Sequence, residues 1–368
     1  MNLGSGFGMN FLEIILEVLS PTIITERRTL RGFLKVPNFI PASTLRGAIL
    51  SELYRRGVIE EDFLKGERTK PSVIASYAHP VTSRGEKSYP SHPFMWECKT
   101  CEERINYLSE VIDDLENYNN LRERTHITCR KGHVTLETLY SKYYPIDDGR
   151  ERKVSTSRFV CTSVSKTRGS SEVGMLYEYE AIAPGRRFWA ILSIPDELVK
   201  YIDGLEIRIG RGISRGFGIS KIIELSMISL REVLMRIEDS IIRRDYVVFY
   251  SPSPLISCHE DYYSPYPMEI DSSRIAVPIN AKGRLKIKAV YGKSDFQIGG
   301  WDVYENVEKP TIKFATRPGA IVTAEFTGDI QFLAALSLSG TIERLGNTVI
   351  TGVNMLHPIR SHPLFKVT

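Results

Sequence analysis

The residues of this chain best suited to bind an anion lie in one glycine-rich run, Ile207 to Gly218, with the sequence IRIGRGISRGFG. Glycine at every second or third position lets backbone N–H groups approach a ligand, because no Cβ is in the way. Arg211 and Arg215 add forked donors that suit phosphate better than a neutral metabolite. The run has neither the acidic residue of a dinucleotide fingerprint nor the Lys-Ser/Thr ending of a P-loop. A glycine-rich turn with solvated arginines is the alternative.

A second group of residues has the composition of a metal site. Cys98 and Cys101 form a Cys-x2-Cys pair, and Cys129 and His133 follow as Cys-x3-His. Thiolates and imidazoles in this combination are the usual ligands of structural zinc, and four protein ligands leave no open position for a catalytic water. We therefore expect a structural zinc ion. The rival histidines are His126 and His92, and free cysteines in a loop are the alternative.

One helix is placed to position further anion-binding groups. Leu45, Ile49 and Leu53 recur at four-residue spacing, which predicts a helix over residues 43–56. Ser43 or Thr44 can cap its first turn, where free N–H groups attract anions. Two further sets of cations follow from the sequence. They are Arg46 in that first turn, and Arg27, Arg28 and Arg31 in the basic segment just before the helix.

The order of these motifs resembles that of the RAMP superfamily of RNA-binding CRISPR proteins. In that family Ile-Pro-Gly-Ser-Ser-Leu-Lys-Gly opens the first helix, and residues 40–47 read IPASTLRG. A later loop of the type Gly-Arg-Gly-Arg-Ser-Arg-Gly-Leu-Gly is similar to residues 210–218. The strand pair before that loop corresponds to LYEYE at 176–180. Farther on, GGWD at 299–302 and RPGA at 317–320 resemble a second, degenerate RAMP domain.

The resemblance implies an α+β fold of tandem ferredoxin-like (RRM-like) domains, with a zinc-binding insertion in the first. We expect domains at 1–244 and 245–368 and the insertion at about 91–145. The two-domain layout is that of the type III effector subunit that caps the 5′ handle of the guide RNA (crRNA). Expected partners are crRNA, a large polymerase-like subunit and backbone RAMP subunits. The alternatives are an endoribonuclease that processes repeat transcripts and a zinc-ribbon protein-interaction scaffold.

The residues expected to contact RNA combine these motifs with one basic strand, in which cations alternate with Leu285 and Ile287. A solvated edge strand is the other interpretation of that alternation. The full expected set is Arg27, Arg28, Arg31, Ser43, Thr44, Arg46, Gly210, Arg211, Gly212, Ser214, Arg215, Gly216, Lys282, Arg284, Lys286 and Lys288.

Catalysis has little support in the sequence. RAMP subunits that cut target RNA carry an aspartate between the first strand and the first helix. Residues 13–40 contain no aspartate here, and Glu26 is the only carboxylate between Pro21 and Ile40. His79 is the nearest candidate for general acid–base catalysis, but a lone histidine before proline is usually a turn residue. We expect a non-catalytic protein.

Composition sets wider limits on the function. A chain of 368 residues with 42% apolar content has room for two domains, and its net charge of only +4 means that nucleic acid would be bound by local basic patches. The sequence has no long apolar run and no secretion signal, so we expect a cytoplasmic protein without membrane contact. An amphipathic pattern over Leu230 to Ile242, followed by a strand at Tyr246, places the domain boundary near Arg244.

Overall fold

The computed structural model describes residues 9–25, 27–28, 34–116, 128–134, 136–140, 143–145, 154–164, 167, 171–241, 246–302, 305 and 307–362. The elements of the first part of the chain are β1 (Met9–Val18), β2 (Arg27–Arg28), β3 (Leu34–Lys35), α1 (Ala42–Arg55), α2 (Glu61–Thr69), β4 (Ile74–Ala75), β5 (His79–Val81), β6 (Ser88–Pro90), β7 (Met95–Cys98), β8 (Arg104–Asn106), α3 (Leu108–Glu116), β9 (Leu136–Thr138), β10 (Tyr143–Pro145), β11 (Thr156–Val164), β12 (Ser171–Ile182), β13 (Arg187–Pro195), α4 (Asp196–Val199), β14 (Glu206–Arg208), β15 (Ile219–Met227) and α5 (Leu230–Ile241).

The second part of the chain is also a mixture of strands and one helix. Its elements are β16 (Val247–Ser251), β17 (Ser257–Cys258), β18 (Tyr263–Ser264), β19 (Glu269–Asp271), β20 (Gly283–Tyr291), β21 (Phe296–Ile298), β22 (Trp301–Asp302), β23 (Val307–Glu308), β24 (Ile312–Ala315), β25 (Ala320–Gly328), α6 (Ile330–Ser339), β26 (Thr341–Leu345), β27 (Thr348–Val353) and β28 (His357–Pro358). No helix of the described residues combines the length and apolar character that crossing a bilayer requires.

The first sheet forms because β1 alternates in polarity. Leu12, Ile14, Leu16 and Val18 are buried, while the residues between them, Glu13, Ile15 and Glu17, are partly exposed. The strand order is β14-β15-β1-β13-β4, with β5 also paired to β13, and the pairs are antiparallel. Helix α1 packs its buried leucines and isoleucine into the same core. The alternation of Leu12, Ile14 and Leu16 predicts this opening strand, and the strand and the helix predicted over residues 43–56 are both confirmed.

The second sheet has the strand order β19-β20-β25-β16-β28, and its pairs are also antiparallel. Helix α6 is apolar on all sides and almost wholly buried, as expected for a helix that lies inside a core. Helix α5 packs against it, so α6 is enclosed between α5 and the second sheet. The antiparallel sheets and helices confirm a mixed α+β fold.

One hydrophobic core joins the two sheets. The same cluster of buried residues contains Phe11 and Trp189 from the first sheet and Phe249 and Phe332 from the second part. The predicted boundary near Arg244 lies outside the described residues, and it stays a prediction. Because the core is continuous across the two sheets, their packing resists separation.

The predicted insertion contains a three-stranded sheet of order β8-β7-β9, and α3 lies between β8 and β9 in sequence. Leu108, Val111 and Leu115 of α3 are buried in the shared core. Ile105 precedes Leu108, Val111 and Leu115 at helical spacing, which predicts that it belongs to the helix, but it lies in β8, opposite Trp96 of β7. The apolar spacing of Ile105 fits a helix, and pairing with β7 overrides it.

Candidate functional site

The four predicted metal ligands lie together. The ligand atoms of Cys98, Cys101, Cys129 and His133 are all within 4.8 Å of one another. The Sγ atoms of Cys101 and Cys129 are 3.7 Å apart, and His133 Nδ1 is 3.5 Å from Cys98 Sγ and 3.3 Å from Cys129 Sγ. Such close approach of three thiols and one imidazole forms a group that could hold a metal ion.

Two tight turns bring these ligands together. Cys98 ends β7, and its turn closes with bonds from the Glu102 N–H to the Cys98 carbonyl and from the Cys98 N–H to the Glu103 carbonyl, each 2.8 Å. Glu102 has a positive φ of 56°, which is uncommon for a residue other than glycine. The second turn carries Gly132 at φ 79°, and its N–H donates to the Cys129 carbonyl. The backbone therefore presents the ligands from two knuckle-shaped turns.

The electrostatics of the cluster favour a thiolate. Burial raises the pKa of the Cys98 thiol, but hydrogen bonds from the backbone N–H groups of Cys101 and Thr100 and from the side chains of Cys101 and His133 together outweigh that effect and lower its pKa to about 6. A thiolate is the form of cysteine that binds a metal ion. Of the rival histidines, His92 is fully buried and is no member of the cluster, and His126 lies outside the described residues.

Tyr140, just after β9, fixes the cluster's small sheet to the second part of the chain. Its hydroxyl donates to the Arg317 carbonyl at 3.0 Å and accepts a longer bond, 3.4 Å, from the Lys293 N–H. Two glycines make room for this ring: a Cβ on Gly292 would lie 2.9 Å from the Tyr140 hydroxyl, and one on Gly319 would be 3.3 Å from the ring. The predicted metal module is thus packed against the second part of the chain.

The glycine-arginine loop, residues 210–218, has a backbone that only glycine adopts without strain. All four glycines have φ between 76° and 84°. A Cβ on Gly210 would lie 2.2 Å from the Ile23 carbonyl oxygen, and one on Gly218 would lie equally close to the Ile209 carbonyl oxygen. The loop is fastened to the segment after β1, since the Arg211 N–H donates to Ile23 and the Gly218 N–H to Pro21. Its shape is therefore fixed before any ligand binds.

The loop carries its cations outward beside aromatic rings. Arg211, Ser214 and Arg215 are exposed. The Arg215 guanidinium carbon lies 5.7 Å from the ring centre of Tyr179 and 5.9 Å from that of Phe217, distances typical of cation–π contacts. Phe159 meets Phe217 edge to face at 5.3 Å. We call Phe159, Tyr179, Phe217 and Arg215 the aromatic platform.

Phe159 and Tyr179 of the platform belong to a long hairpin, and the sequence did not predict that this hairpin contacts the loop. Strands β11 and β12 pair so that Phe159 faces Tyr179 directly. Strand β3 pairs with β12 at Leu34 opposite Tyr179, and β2 pairs with β3, which brings the backbone of Arg27 and Arg28 to the same sheet. Arg31 lies outside the described residues. The alternation in the two strands signals a hairpin, but only the fold shows that its aromatic rings meet the loop.

The prediction that Arg46 contacts RNA is corrected by the structure, because the guanidinium of Arg46 is hydrogen-bonded to groups inside the protein. Its Nε donates to the Val73 carbonyl at 2.7 Å, and its Nη2 donates to the Glu67 carboxylate at 2.7 Å. Glu67 is 4% exposed and also accepts from the Ser72 N–H. This buried ion pair joins α1 to the end of α2, so we remove Arg46 from the RNA-binding set.

The start of α1 also differs from the expectation. The helix is capped by Pro41, whose carbonyl accepts from the Thr44 and Leu45 N–H groups, and no side chain caps it. Ser43 and Thr44 lie inside the first turn. The second part of the chain approaches this turn, since a Cβ on Gly352 would lie 2.4 Å from the Ala42 Cβ. Contact of Ser43, which is exposed, with RNA stays a prediction.

The basic strand has the predicted alternation, with one difference. Arg284 and Lys286 are exposed while Leu285 and Ile287 are buried, but β20 lies between β19 and β25 and is no edge strand. Arg284 bonds Glu269 at 2.6 Å, and Lys288 pairs with Glu325 at 2.7 Å. Lys282 precedes the strand. Because acidic neighbours neutralise part of this face, it offers less positive charge than its sequence indicates.

Comparison with solved structures finds chains of type III-B complexes. A chain of Cmr-beta bound to cognate target RNA and AMPPnP has TM-score 0.46 and 14% identity, over 84% of this chain and 86% of that one. A chain of apo Cmr-beta has TM-score 0.34 and 15% identity, over 60% and 98%. Oligomeric Cmr4 from Pyrococcus furiosus has TM-score 0.27 and 12% identity, over 60% and 99%.

These neighbours are RAMP-fold CRISPR effector subunits. No protein-family model matches the chain, and no curated protein matches it.

Proposed function

We propose that this chain is a non-catalytic RNA-binding subunit of a type III CRISPR effector complex, in which it holds the repeat-derived 5′ end of crRNA. The observation that carries the proposal is the pre-shaped glycine-arginine loop, with Arg211 and Arg215 exposed next to the aromatic platform. Guanidinium groups bind phosphates through forked donors, and aromatic side chains stack unpaired bases. The combination suits single-stranded RNA better than a small anion.

The strand orders support tandem ferredoxin-like domains. In that fold the sheet order is fourth, first, third, second strand. The first sheet has β15-β1-β13-β4 and the second has β28-β16-β25-β20, which is the same order twice. The first domain keeps its first helix as α1, whereas the only helical segment among the described residues between β16 and β20 is the 3-10 turn Ser272–Arg274. The second domain is therefore proposed as the degenerate copy.

We propose zinc as the metal of the cysteine–histidine cluster. A tetrahedral site with zinc–sulfur bonds of about 2.3 Å places its sulfur atoms about 3.8 Å apart. The 3.7 Å between the Sγ atoms of Cys101 and Cys129 fits that spacing. Three thiols and one imidazole are a common ligand set of structural zinc sites. The ion would fix the turns of the insertion and take no part in chemistry.

A non-catalytic role is consistent with the surroundings of the one histidine that the sequence offered as a catalyst. His79 is 2% exposed, and burial lowers its pKa to about 3. A general base for RNA cleavage must reach the 2′-hydroxyl and be tuned near the working pH. Glu26 lies outside the described residues. The alternative of a repeat-processing endoribonuclease would need a different acid–base group.

The partners we propose are crRNA, a large polymerase-like subunit and backbone RAMP subunits. Solved structures similar to this chain belong to complexes titled as type III-B Cmr-beta, and two of them are titled as bound to cognate target RNA. Net charge of +4 is too small for indiscriminate nucleic-acid coating. Selectivity would therefore come from the loop and its platform.

The test is a binding and cleavage assay on the purified, metal-loaded chain. Labelled single-stranded RNA carrying the repeat-derived 5′ handle is titrated and then analysed for cleavage, with a scrambled RNA as control. Tight binding of the handle RNA without cleavage is the expected result. Site-specific cleavage would favour the endoribonuclease, and absence of binding to either RNA would favour a protein-interaction scaffold.

A further inference from the structure

A cavity of about 280 Å³ lies between the two sheets, away from the loop and the metal cluster. His79 of β5 and Trp189 of β13 line it from the first sheet. His357 of β28 and His362, which follows a 3-10 turn, line it from the second part. Neither the RNA-binding loop nor the metal ligands use these residues. The cavity is therefore separate from both the loop and the metal cluster.

The walls of this cavity are flat π-systems. The ring centres of Tyr89 and Trp189 are 4.9 Å apart, and Trp189 lies 5.5 Å from the His79 ring. His362 meets Tyr89 edge to face at 4.9 Å and lies 5.2 Å from His357. The indole is held in place because its Nε1 donates to the Ser88 carbonyl at 2.9 Å. A planar ligand can stack on such fixed surfaces.

The polar groups that line the interior are neutral. Burial lowers the pKa of His79 to about 3 and that of His357 to about 4, so both imidazoles are uncharged at physiological pH. A neutral imidazole has one donor and one acceptor nitrogen. His79 is hydrogen-bonded to the backbone of Pro252, which has no N–H, so its bonded nitrogen is the donor and its second nitrogen is of the acceptor type.

Serine hydroxyls and charged side chains contribute little to the interior. Ser76 and Ser337 of the lining donate to backbone carbonyls. The charged side chains of the lining have oppositely charged neighbours. Glu13 pairs with Lys87, and Glu232 lies 3.8 Å from Arg236. The interior therefore matches a flat, uncharged ligand with hydrogen-bonding edges.

We propose that this cavity binds a single nucleobase. Its volume lies at the lower end of ligand pockets, which suits one base and excludes a dinucleotide. Pockets that take a base out of a strand read it in this way, by stacking it on aromatic side chains and bonding its edge. The base can come from a free nucleoside or from an unpaired nucleotide of bound RNA, and only the second source rests on the function proposed above.

Trp189 provides the readout for a test. With Trp96 and Trp301 replaced by phenylalanine, Trp189 is the sole remaining tryptophan. Adenosine, guanosine, cytidine and uridine are titrated separately against this full-length, metal-loaded variant, with ribose 5-phosphate as a probe that has no base. We expect saturable quenching of Trp189 by at least one nucleoside and none by ribose 5-phosphate.

Two variants test the location of the site. Val233→Phe fills the cavity from α5 without removing a polar group, and His357→Leu removes one edge contact. Each should weaken the quenching at least tenfold, while His259→Gln at an exposed site should not. Melting curves show whether each variant is folded. If one of Val233→Phe and His357→Leu does not fold, the other variant alone tests the location of the site.

A second arm separates the two sources of the base. The handle RNA is titrated against the same single-tryptophan protein and against its Arg211→Ala, Arg215→Ala form. Quenching by RNA that Val233→Phe abolishes assigns the base to RNA, and quenching by nucleosides alone assigns it to a free ligand. Failure of the loop variants to weaken RNA binding would count against the proposed function and leave the cavity proposal standing. Absence of cavity-dependent quenching by both RNA and nucleosides would overturn the cavity proposal.

Discussion

Arg215 combines exposure with a fixed environment, which makes it the side chain of the loop on which RNA affinity should depend most. Its guanidinium lies over Tyr179 and Phe217 and can stack on a base or fork onto a phosphate. Replacing Arg211 and Arg215 together with alanine should cost about 1–3 kcal/mol for each lost charge-assisted contact and should reduce the salt dependence of binding. Titrations with handle RNA at several salt concentrations measure both effects.

The matched control for that double variant is Lys70→Ala with Arg84→Ala, which removes the same charge from exposed positions outside the loop. Arg215→Lys adds a second comparison, because lysine keeps the charge and loses the planar group. We expect the lysine variant to bind RNA less tightly than the parent. Equal loss of affinity in the loop variant and the control would show that net charge alone drives binding.

Gly218 and Gly216 test whether the shape of the loop matters. Both have φ above 80°, but a Cβ on Gly218 would lie 2.2 Å from the Ile209 carbonyl oxygen, while one on Gly216 would meet no atom within 4 Å. Gly216→Ala should cost roughly 1–2 kcal/mol of strain. Gly218→Ala should cost more and should weaken RNA binding, because the loop must move. Chemical denaturation and RNA titration of the two variants provide the comparison, and equal effects would argue against a pre-shaped loop.

Residue types alone predicted the cysteine–histidine cluster and the glycine-rich loop, because each motif needs specific side chains at short spacing. They did not identify the role of Arg46, whose partner Glu67 lies on another helix. Nor did they reveal the aromatic platform, since Phe159 and Tyr179 meet only through strand pairing and Phe217 joins them through the loop's fold. What sequence reasoning missed in each case is a contact between side chains distant along the chain.

At the scale of elements, the metal module should depend on its ion. Cys98→Ser with Cys101→Ser removes two of four ligands, and ligation of a structural zinc commonly contributes several kcal/mol to the fold it holds. We expect loss of the metal by elemental analysis and faster proteolysis within residues 91–145. Cys258→Ser, which lies outside the cluster, is the control. Full metal occupancy in the double variant would show the ligand assignment to be wrong.

The docking of that module should be separable from its metal. Tyr140→Phe removes the hydroxyl that bonds the Arg317 carbonyl and the Lys293 N–H but leaves the ligands in place. Loss of such a bond at a buried site should lower the free energy of unfolding by about 0.5–1.5 kcal/mol. Denaturant unfolding measures this change, and the metal content should stay at one ion per chain. Tyr262→Phe at an exposed ring serves as the control.

Periodicity was sufficient to predict β1, α1 and α5, because each has one buried and one exposed face. Periodicity could not predict the order of strands in the sheets, because that order depends on pairings between distant segments. The position of β20 illustrates this limit: its alternating cations are those of an edge strand, yet β19 and β25 flank it. Whether a strand lies at the edge of a sheet depends on its pairing partners, and the strand's own sequence does not identify them.

At the scale of the whole molecule, acid should destabilise the folded chain at unusually mild pH. Burial lowers the pKa of His79 to about 3, of His357 to about 4 and of His362 well below its usual range, whereas unfolded histidine titrates near 6.5. Below about pH 6.5 the unfolded chain binds more protons, so stability falls as the pH drops toward the folded values. Each histidine contributes up to about 1.4 kcal/mol per pH unit in that window.

Unfolding free energies measured between pH 7 and pH 4 test this expectation. His357→Leu should flatten the pH dependence by about one proton, and His259→Gln should not change it. A parent protein whose stability stays constant down to pH 4.5 would contradict the assignment of these three imidazoles as buried and neutral. The effect belongs to the molecule as a whole because the histidines lie where the two sheets meet.

The bond between Tyr140 and Arg317 has a consequence for biosynthesis. Its two ends are 177 residues apart in the chain, and the ribosome adds about 5–20 residues per second, so the module waits roughly ten to thirty-five seconds for its docking surface. During that time its thiols and the apolar face of α3 are available to solvent and chaperones. Ion uptake by the nascent chain would protect the thiols from oxidation. We therefore expect growth without zinc to lower the yield of intact protein before it lowers the RNA affinity of the protein that has folded.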